Sequence, residues 1–399
     1  MALAIIVAVL LLIGLLLFLD YKFGRKKHLS AINRKNYPIR ESNFEIFTGG
    51  PELFEDLFSE LRKAEKHIHI LFYIVKDDPV SKEFLSILKE RAKNGVEVRL
   101  LLDWLGSFSV KNSIVKELKD DGVKFAFCHV LKFPFLFYSS QVRNHRKITV
   151  IDGKMGYIGG FNIGKEYINM DPKLCPWRDY HLKIMGEGVH DLQREFLKDW
   201  REERKENLLQ DSIYFPMLPK GQSRHQIIPS EGFYLEETFS GLIRKAEKSI
   251  MIGTPYFIPS TKILKDLLDA LDRGVHITLL VPYKSDHALV QEASHPYLRE
   301  ILKKGADVHQ YLKGFYHAKV LFIDDNICDI GTANFDKRSL FLNHEINCYI
   351  FDKNLIDKLK AVIEKDILDS KVLTLEELNR FKLSTSIKEA IARPISHFL

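Results

Sequence analysis

The sequence predicts an α/β protein of two similar halves behind one N-terminal membrane helix. Three observations predict it: an apolar run from Ala2 to Leu19, a repeated helix-to-strand segment, and a repeated His-x-Lys pattern. At 399 residues the chain exceeds one typical core, and with 46% apolar and 28% charged residues it can bury two, which excludes a disordered protein. A formal net charge of +6 suits an anionic partner without separating phospholipid from nucleic acid. Cys128, Cys175, Cys328 and Cys348 lie far apart with no C-x₂-C pair, so neither a zinc knuckle nor a disulfide framework is signalled and packed thiols are expected.

Between Ala2 and Leu19 every residue is apolar or glycine, and about 18 such residues suffice for a helix to cross the hydrocarbon core. Without a charged start or a small-residue cleavage site, residues 2–19 read as an anchor and not as a cleaved leader. Lys22, Arg25, Lys26 and Lys27 follow at once, so the charge bias places the rest of this single-pass chain on the cytoplasmic side of the cell membrane. Residues 20–43 are expected to form a basic juxtamembrane linker.

A duplication organises the remainder. Arg62-Lys63-Ala64-Glu65-Lys66 closes one amphipathic helix and Arg244-Lys245-Ala246-Glu247-Lys248 another, and each is followed by an apolar strand, Ile68 to Tyr73 and Ile250 to Gly253. Further on, Asn94-Gly95-Val96 answers Arg273-Gly274-Val275, a glycine stopping a helix before a β-branched strand. Asp121-Gly122-Val123 answers Lys304-Gly305-Ala306 in the same way. The halves are placed at 44–205 and 224–355, with a charged, proline-interrupted linker at 206–223 and a C-terminal helical segment at 356–399. The first half carries about eleven extra residues before its histidine, including Lys132 to Tyr138. That run reads either as buried core or as an apolar lip dipping into the bilayer.

The chemistry sits in two copies of one pattern. His145, Lys147, Asp152, Gly159 and Asn162 recur as His317, Lys319, Asp324, Gly331 and Asn334 at identical offsets of 2, 7, 14 and 17 residues from the histidine. Side chains alternate along a strand, so each histidine shares a face with its lysine. A turn at the aspartate then returns the chain and brings the asparagine back toward the histidine. Singly, a strand histidine is more often a satisfied core residue, a lysine a solvated one, and Asp before Gly a turn former. Two copies at one spacing outweigh those readings, with Asp152 and Asp324 the members closest to a purely structural role.

These motifs resemble the phospholipase D superfamily signature, H-x-K-x₄-D-x₆-G-x₂-N in duplicate, over about Phe44 to Phe351. Within it the chain is similar to the bacterial cardiolipin synthases, on the membrane segment and on Arg143 to Ile148, Gly159 to Tyr167, Trp177-Arg178-Asp179, Thr254 to Pro259 and Asn334 to Ser339. Many such synthases begin with two apolar segments and this chain has one, as the shorter minor forms do. The resemblance implies α/β/α halves related by a pseudo-two-fold axis, each with a mixed sheet flanked by helices. It also implies phosphatidyl transfer through a phosphohistidine, with His145 as nucleophile and His317 as acid and base, although the pseudo-symmetry leaves the two roles open. Lys147, Lys319, Asn162 and Asn334 would hold the phosphate. Asp179 and Glu345 are candidate carboxylates for orienting the histidines, each taken with the histidine of its own half. Neither metal nor cofactor is expected, the substrate is expected to be phosphatidylglycerol at a membrane, and no nucleic acid is expected as partner. The alternatives are a phospholipase D hydrolase releasing phosphatidic acid and a nuclease of the same superfamily.

Overall fold

The computed structural model describes residues 1–32, 36–380 and 383–398, so residues 33–35 of the expected linker and residues 381–382 and 399 of the expected C-terminal segment lie outside the described residues. Helix α1 spans Ala2–Ala31. The first half then runs β1 (Arg40–Gly49), α2 (Gly50–Lys63), β2 (His67–Phe72), α3 (Pro79–Lys93), β3 (Glu97–Asp103), α4 (Asn112–Asp120), β4 (Lys124–Cys128), α5 (Leu136–Gln141), β5 (Ile148–Ile151), β6 (Met155–Gly159), β7 (Trp177–Gly186) and α6 (Gly188–Arg204). The second runs β8 (Ser223–Glu231), α7 (Leu235–Lys245), β9 (Ser249–Gly253), β10 (Phe257–Ile258), α8 (Thr261–Asp272), β11 (His276–Pro282), α9 (Val290–Lys303), β12 (Asp307–Tyr311), β13 (Phe315–Tyr316), β14 (Val320–Ile323), β15 (Ile327–Gly331), β16 (Phe335–Asp336), α10 (Lys337–Phe341), β17 (His344–Ile350) and α11 (Lys353–Leu368). Strand β18 (Ser370–Val372) and helices α12 (Leu375–Asn379) and α13 (Leu383–Ile395) follow.

One mixed sheet carries both halves. Outward from its centre the first half is ordered β1-β7-β6-β5-β2-β3-β4 and the second β8-β17-β15-β14-β9-β11-β12, the same order from equivalent strands. They meet where Arg40–Ser42 of β1 pairs antiparallel with Ser223–His225 of β8, so the pseudo-two-fold passes between these strands. On one face α6 and α11 cover both halves through Leu192, Phe196, Trp200, Ile356, Leu359 and Ile363. On the other, α2, α3 and α4 cover the first half and α7, α8 and α9 the second. Apolar residues at Leu53, Phe54, Leu57, Phe58 and Leu61 give α2 one buried stripe of helical period, which fixes the face it turns to the sheet.

Several boundaries differ from those expected. Residues 20–31 are not a linker: they continue α1 and dock on the globular body. Asp20 accepts the backbone N–H of Tyr138 at 2.7 Å, His28 Nδ1 lies 2.6 Å from the Tyr138 hydroxyl, and Tyr21 meets His397 at 2.5 Å. Gly24 permits this approach, because a Cβ there would come within 2.6 Å of Tyr138 Cβ. The first half begins at Arg40 and not at 44, because β1 is already paired there. Within 206–223 the chain is tied back to the first half by Tyr214, which donates to Glu97 at 2.6 Å. The second half extends past 355, since α11 packs on the shared core and β18 adds an edge strand beside β12. The Lys132 to Tyr138 run divides: Phe133 is 87% exposed, whereas Tyr138 is buried against α1.

Asp152 and Asp324, grouped with the catalytic residues from sequence, do different work. Each sits in the left-handed region, at φ 53° and 52°, at the far end of its motif strand. Asp152 accepts the backbone N–H groups of Glu65, Lys66 and His67 at 3.0, 2.7 and 2.9 Å. Asp324 accepts those of Glu247, Lys248 and Ser249 at 3.2, 2.8 and 2.9 Å. The motif aspartate thus grips the Arg-Lys-Ala-Glu-Lys corner of its own half and fixes the helix-to-strand turn beside the motif strand. Those N–H groups hold the Asp324 carboxyl below its usual range, against the opposing effect of burial. Asp324→Ala is expected to lower unfolding stability by about 1–3 kcal/mol. Asp324→Asn, which keeps an acceptor and tolerates left-handed backbone, should cost less. Denaturant titration checks the order, and turnover per folded molecule should stay near that of the parent protein.

Candidate active site

Each motif histidine leaves its strand beside a strand of the other half. Phe315-Tyr316 in β13 pairs in parallel with Trp177-Arg178 of β7, and Asn144 bridges in parallel to His344 of β17. His317 donates its N–H to the Arg178 carbonyl at 2.7 Å and His145 its own to the His344 carbonyl at 2.9 Å. The next residues on those partner strands are Asp179 and Glu345. The orienting pairs are therefore crossed: His145 Nδ1 meets Glu345 at 2.9 Å and His317 Nδ1 meets Asp179 at 2.5 Å. This corrects the expectation that each carboxylate serves its own half, and the reason is that the segment carrying each histidine reaches across to pair with β7 or β17 of the other half.

Both imidazoles line one cavity of about 520 Å³, together with Asn162 and Asn334. Neither Asp152 nor Asp324 lines it. The lysines lie just behind the histidines: Lys147 Nζ donates to the His145 carbonyl at 2.7 Å, and Lys319 Nζ to the His317 carbonyl. Lys319 also stands 3.5 Å from Asp179. Glu345 accepts from Thr332 at 2.6 Å, Ser339 at 2.9 Å and Asn343 at 3.2 Å, which locks its carboxylate plane toward His145. At the position equivalent to Thr332 the first half has Gly160, where a Cβ would lie 2.1 Å from the Asp179 carboxylate. Asn162 accepts from the Ile74 N–H at 3.2 Å and donates to the Tyr167 hydroxyl at 3.0 Å, keeping one amide hydrogen for the cavity.

Burial sets the protonation of these groups. It lowers the His145 imidazole against the opposing pull of Glu345, and with Lys319 it lowers His317 to about 4. Burial also lowers Lys147 to about 7 and depresses Lys319. Both carboxylates are pushed up by burial, yet Lys319 and His317 outweigh this at Asp179, and His145 does so at Glu345. Each histidine is consequently a neutral imidazole at neutral pH, with Nδ1–H given to a carboxylate and Nε2 left for chemistry. A bound anion would raise the depressed ammonium and imidazole groups together.

Other residues of this cavity were not found from sequence. Tyr73 follows β2 and Tyr256 stands between β9 and β10, one place out of step in the repeat, where Tyr73 aligns with Pro255, so the duplication does not pair them. Asp286, Asp336, Arg338 and Asn343 lie in segments where the halves differ, and Phe398 belongs to a tail with no chemical signal. Behind the motif, buried Asp103 accepts the Asn144 N–H at 2.9 Å, and buried Arg146 bridges Asp199 at 3.0 Å and the Glu345 carbonyl at 3.1 Å.

A family model described as a cardiolipin synthase, phospholipase D-like domain matches residues 57–200 and 240–367. The chain is 40% identical over 395 residues to the minor cardiolipin synthase ClsB of Bacillus subtilis (strain 168), covering 99% of each protein. It is 38% identical over 385 residues to the major cardiolipin synthase ClsA of the same organism, covering 94% of this chain and 80% of that protein. In fold it is similar to the phosphatidylserine synthase of Haemophilus influenzae Rd KW20, with a TM-score of 0.70 at 16% identity over 94% of this chain and 100% of that one. With relatives of this identity along nearly its whole length, and with paired histidines meeting in one cavity, the chain belongs to the cardiolipin synthase family of the phospholipase D superfamily.

Proposed function

We propose that the chain is a membrane-anchored cardiolipin synthase that transfers a phosphatidyl group from one phosphatidylglycerol to the head-group hydroxyl of another, giving cardiolipin and glycerol. The observation that carries this reading is the pair of crossed, carboxylate-anchored imidazoles facing a single cavity. In the first step Nε2 of His145 attacks phosphorus, forming a P–N bond as the P–O bond to glycerol breaks, and His317, which takes up a proton on Nε2 when the bound phosphate anion raises it, gives that proton to the departing oxygen. In the second step His317 takes the proton of the incoming lipid hydroxyl, whose oxygen forms the new P–O bond as P–N breaks. The ammonium groups of Lys147 and Lys319 and the amide of Asn162 stabilise charge on the non-bridging oxygens. Glu345 and Asp179 act as positioning residues, holding the tautomer and stabilising the imidazolium each histidine becomes. The exposed apolar helix Ala2 to Leu19 and the exposed Phe133 support a site held at the bilayer, and the basic residues after Leu19 support a cytoplasmic catalytic body.

Purified protein with phosphatidylglycerol vesicles is expected to form cardiolipin and free glycerol in near-equal amounts with little phosphatidic acid, read by lipid mass spectrometry. His145→Ala and His317→Ala should each reduce this at least about a thousandfold, and the double variant should be little worse than either. Predominant phosphatidic acid would mark a hydrolase instead.

Because Glu345 holds the His145 imidazole above where burial and Lys147 alone would set it, Glu345→Gln lowers that group further. The acid-side limb of kcat/KM, where the nucleophile is lost to protonation, should therefore move to lower pH while kcat falls about tenfold or more. A residue serving stability alone would leave that limb in place.

A further inference from the structure

The cavity contains hydrogen-bonding groups that the two-step mechanism does not use, and apart from the Trp177 indole N–H its unmatched buried side-chain groups are acceptors. Asp286 Oδ1, Asn334 Oδ1 and Asn343 Oδ1 are buried acceptors with no donor among the described residues, and all three residues line the cavity. Their side-chain amide assignments are fixed by neighbours: Asn343 Nδ2 donates to Glu345 at 3.2 Å, and Asn334 hydrogen-bonds the Asp336 carboxyl, so reversing either amide would set an oxygen against a carboxylate. Asp286 is the sharpest case. Its side chain is 10% exposed, its Oδ2 accepts from the Tyr256 hydroxyl at 2.7 Å, and Tyr256 stands 6.4 Å from His317 between ring centroids.

Unmatched acceptors repel phosphate oxygens, which are themselves acceptors, and need O–H or N–H donors. A neutral polyol supplies them, whereas a second phosphate does not. Asp336, whose carboxyl burial raises to about 6, lines the same wall, so the second-half side of the cavity is rich in carboxylate while the lysines lie behind the histidines. The alcohol that leaves and the alcohol that arrives must both use the site served by His317, by microscopic reversibility.

We propose that Asp286, with Tyr256 and Asn334, forms a polyol subsite that accepts hydrogen bonds from the free hydroxyls of the glycerol head group, first of the leaving glycerol and then of the acceptor lipid. This rests on the phosphatidyl-transfer reading and adds to it what selects the acceptor. The reacting hydroxyl is directed to His317 because its neighbours are held by Asp286. Water and simple alcohols, which lack a second hydroxyl at that distance, gain nothing from the carboxylate. A site built to hydrogen-bond a hydroxyl discriminates strongly against an analogue without it, since its own buried group is left unpaired.

The test is a competition. Full-length protein in phosphatidylglycerol–detergent micelles receives deuterated glycerol and 1-propanol at equal concentration, and mass spectrometry reads labelled phosphatidylglycerol against phosphatidylpropanol. The parent protein is expected to favour glycerol, and Asp286→Ala to lower the glycerol-to-propanol ratio about tenfold or more. Asp286→Asn, which keeps the shape and an acceptor for Tyr256, should move the ratio the same way by less, and it decides the matter where the alanine variant does not fold. An unchanged ratio, with both products reduced by one factor, overturns the polyol subsite, as does a rise in phosphatidic acid at constant ratio. Parent protein that makes neither alcohol product overturns the transfer reading itself, and the subsite with it.

Discussion

The crossed pairing of each histidine with a carboxylate from the other half is the constraint on which the rest of the structure depends. A single half has a histidine, a lysine and an asparagine, but no acceptor for its own Nδ1–H. Only when β13 lies along β7, and Asn144 bridges β17, do Asp179 and Glu345 arrive at 2.5 and 2.9 Å from their histidines. The central β1–β8 pairing, the α6–α11 layer that seals one face and the buried Arg146 bridge all hold that register. A slip of one residue along β7 or β17 would turn Asp179 or Glu345 to the opposite face of the sheet.

Placing two imidazoles, two ammonium groups and two carboxylates in the interior is expensive unless they are matched; each carboxylate has its histidine, Lys319 has Asp179, and Lys147 has the His145 carbonyl and the Tyr73 ring. Glu345 has three neutral donors besides His145, and Asp179 has Lys319 and the Tyr180 N–H besides His317. The unequal support gives the two histidines different surroundings, although their strands are related by symmetry. His317 has an ammonium group crowded against its carboxylate pair, whereas the carboxylate of His145 is held by uncharged groups. Such asymmetry is what two chemically distinct roles need, a nucleophile and a proton carrier, and it fits the proposed division between His145 and His317.

Much of this was legible before any coordinates. Identical offsets in two copies of the motif implied one site from two halves, and the Arg-Lys-Ala-Glu-Lys repeats marked equivalent corners. Strand alternation put His145 with Lys147 and His317 with Lys319. What stayed hidden was whatever depends on packing between distant segments. Linear spacing assigned Asp179 and Glu345 to their own histidines because nothing in it records that the segment before each motif strand pairs with the other half. Asp152 and Asp324 kept their motif's catalytic association because a backbone N–H that needs an acceptor leaves no trace in the sequence. Residues 20–31 read as linker because charge outweighed helical continuity, and the glycine that lets α1 touch α5 is only one letter.

The docking of α1 changes what the anchor does. A flexible tether would raise local lipid concentration and leave the globular body free to tumble, so the cavity would meet the bilayer at every angle. Here Tyr21 reaches His397, Asp20 and His28 hold Tyr138, and Arg25 donates to the Phe341 carbonyl, so the end of α1, helix α5 and the C-terminal tail form one packed unit. Phe398 of that tail lines the active-site cavity, and Arg338, also on its wall, donates to the Gln141 carbonyl of α5 at 2.9 Å. With α1 anchored in a bilayer as proposed, its depth and tilt would be transmitted to the cavity wall through a few short contacts. The proposed reaction, in which donor and acceptor are both lipids, would gain from this arrangement, because head groups would arrive from one direction and at one depth. The site of the proposed reaction can then be shaped for a glycerol head at the end of its tether and need not accommodate a molecule diffusing in from water.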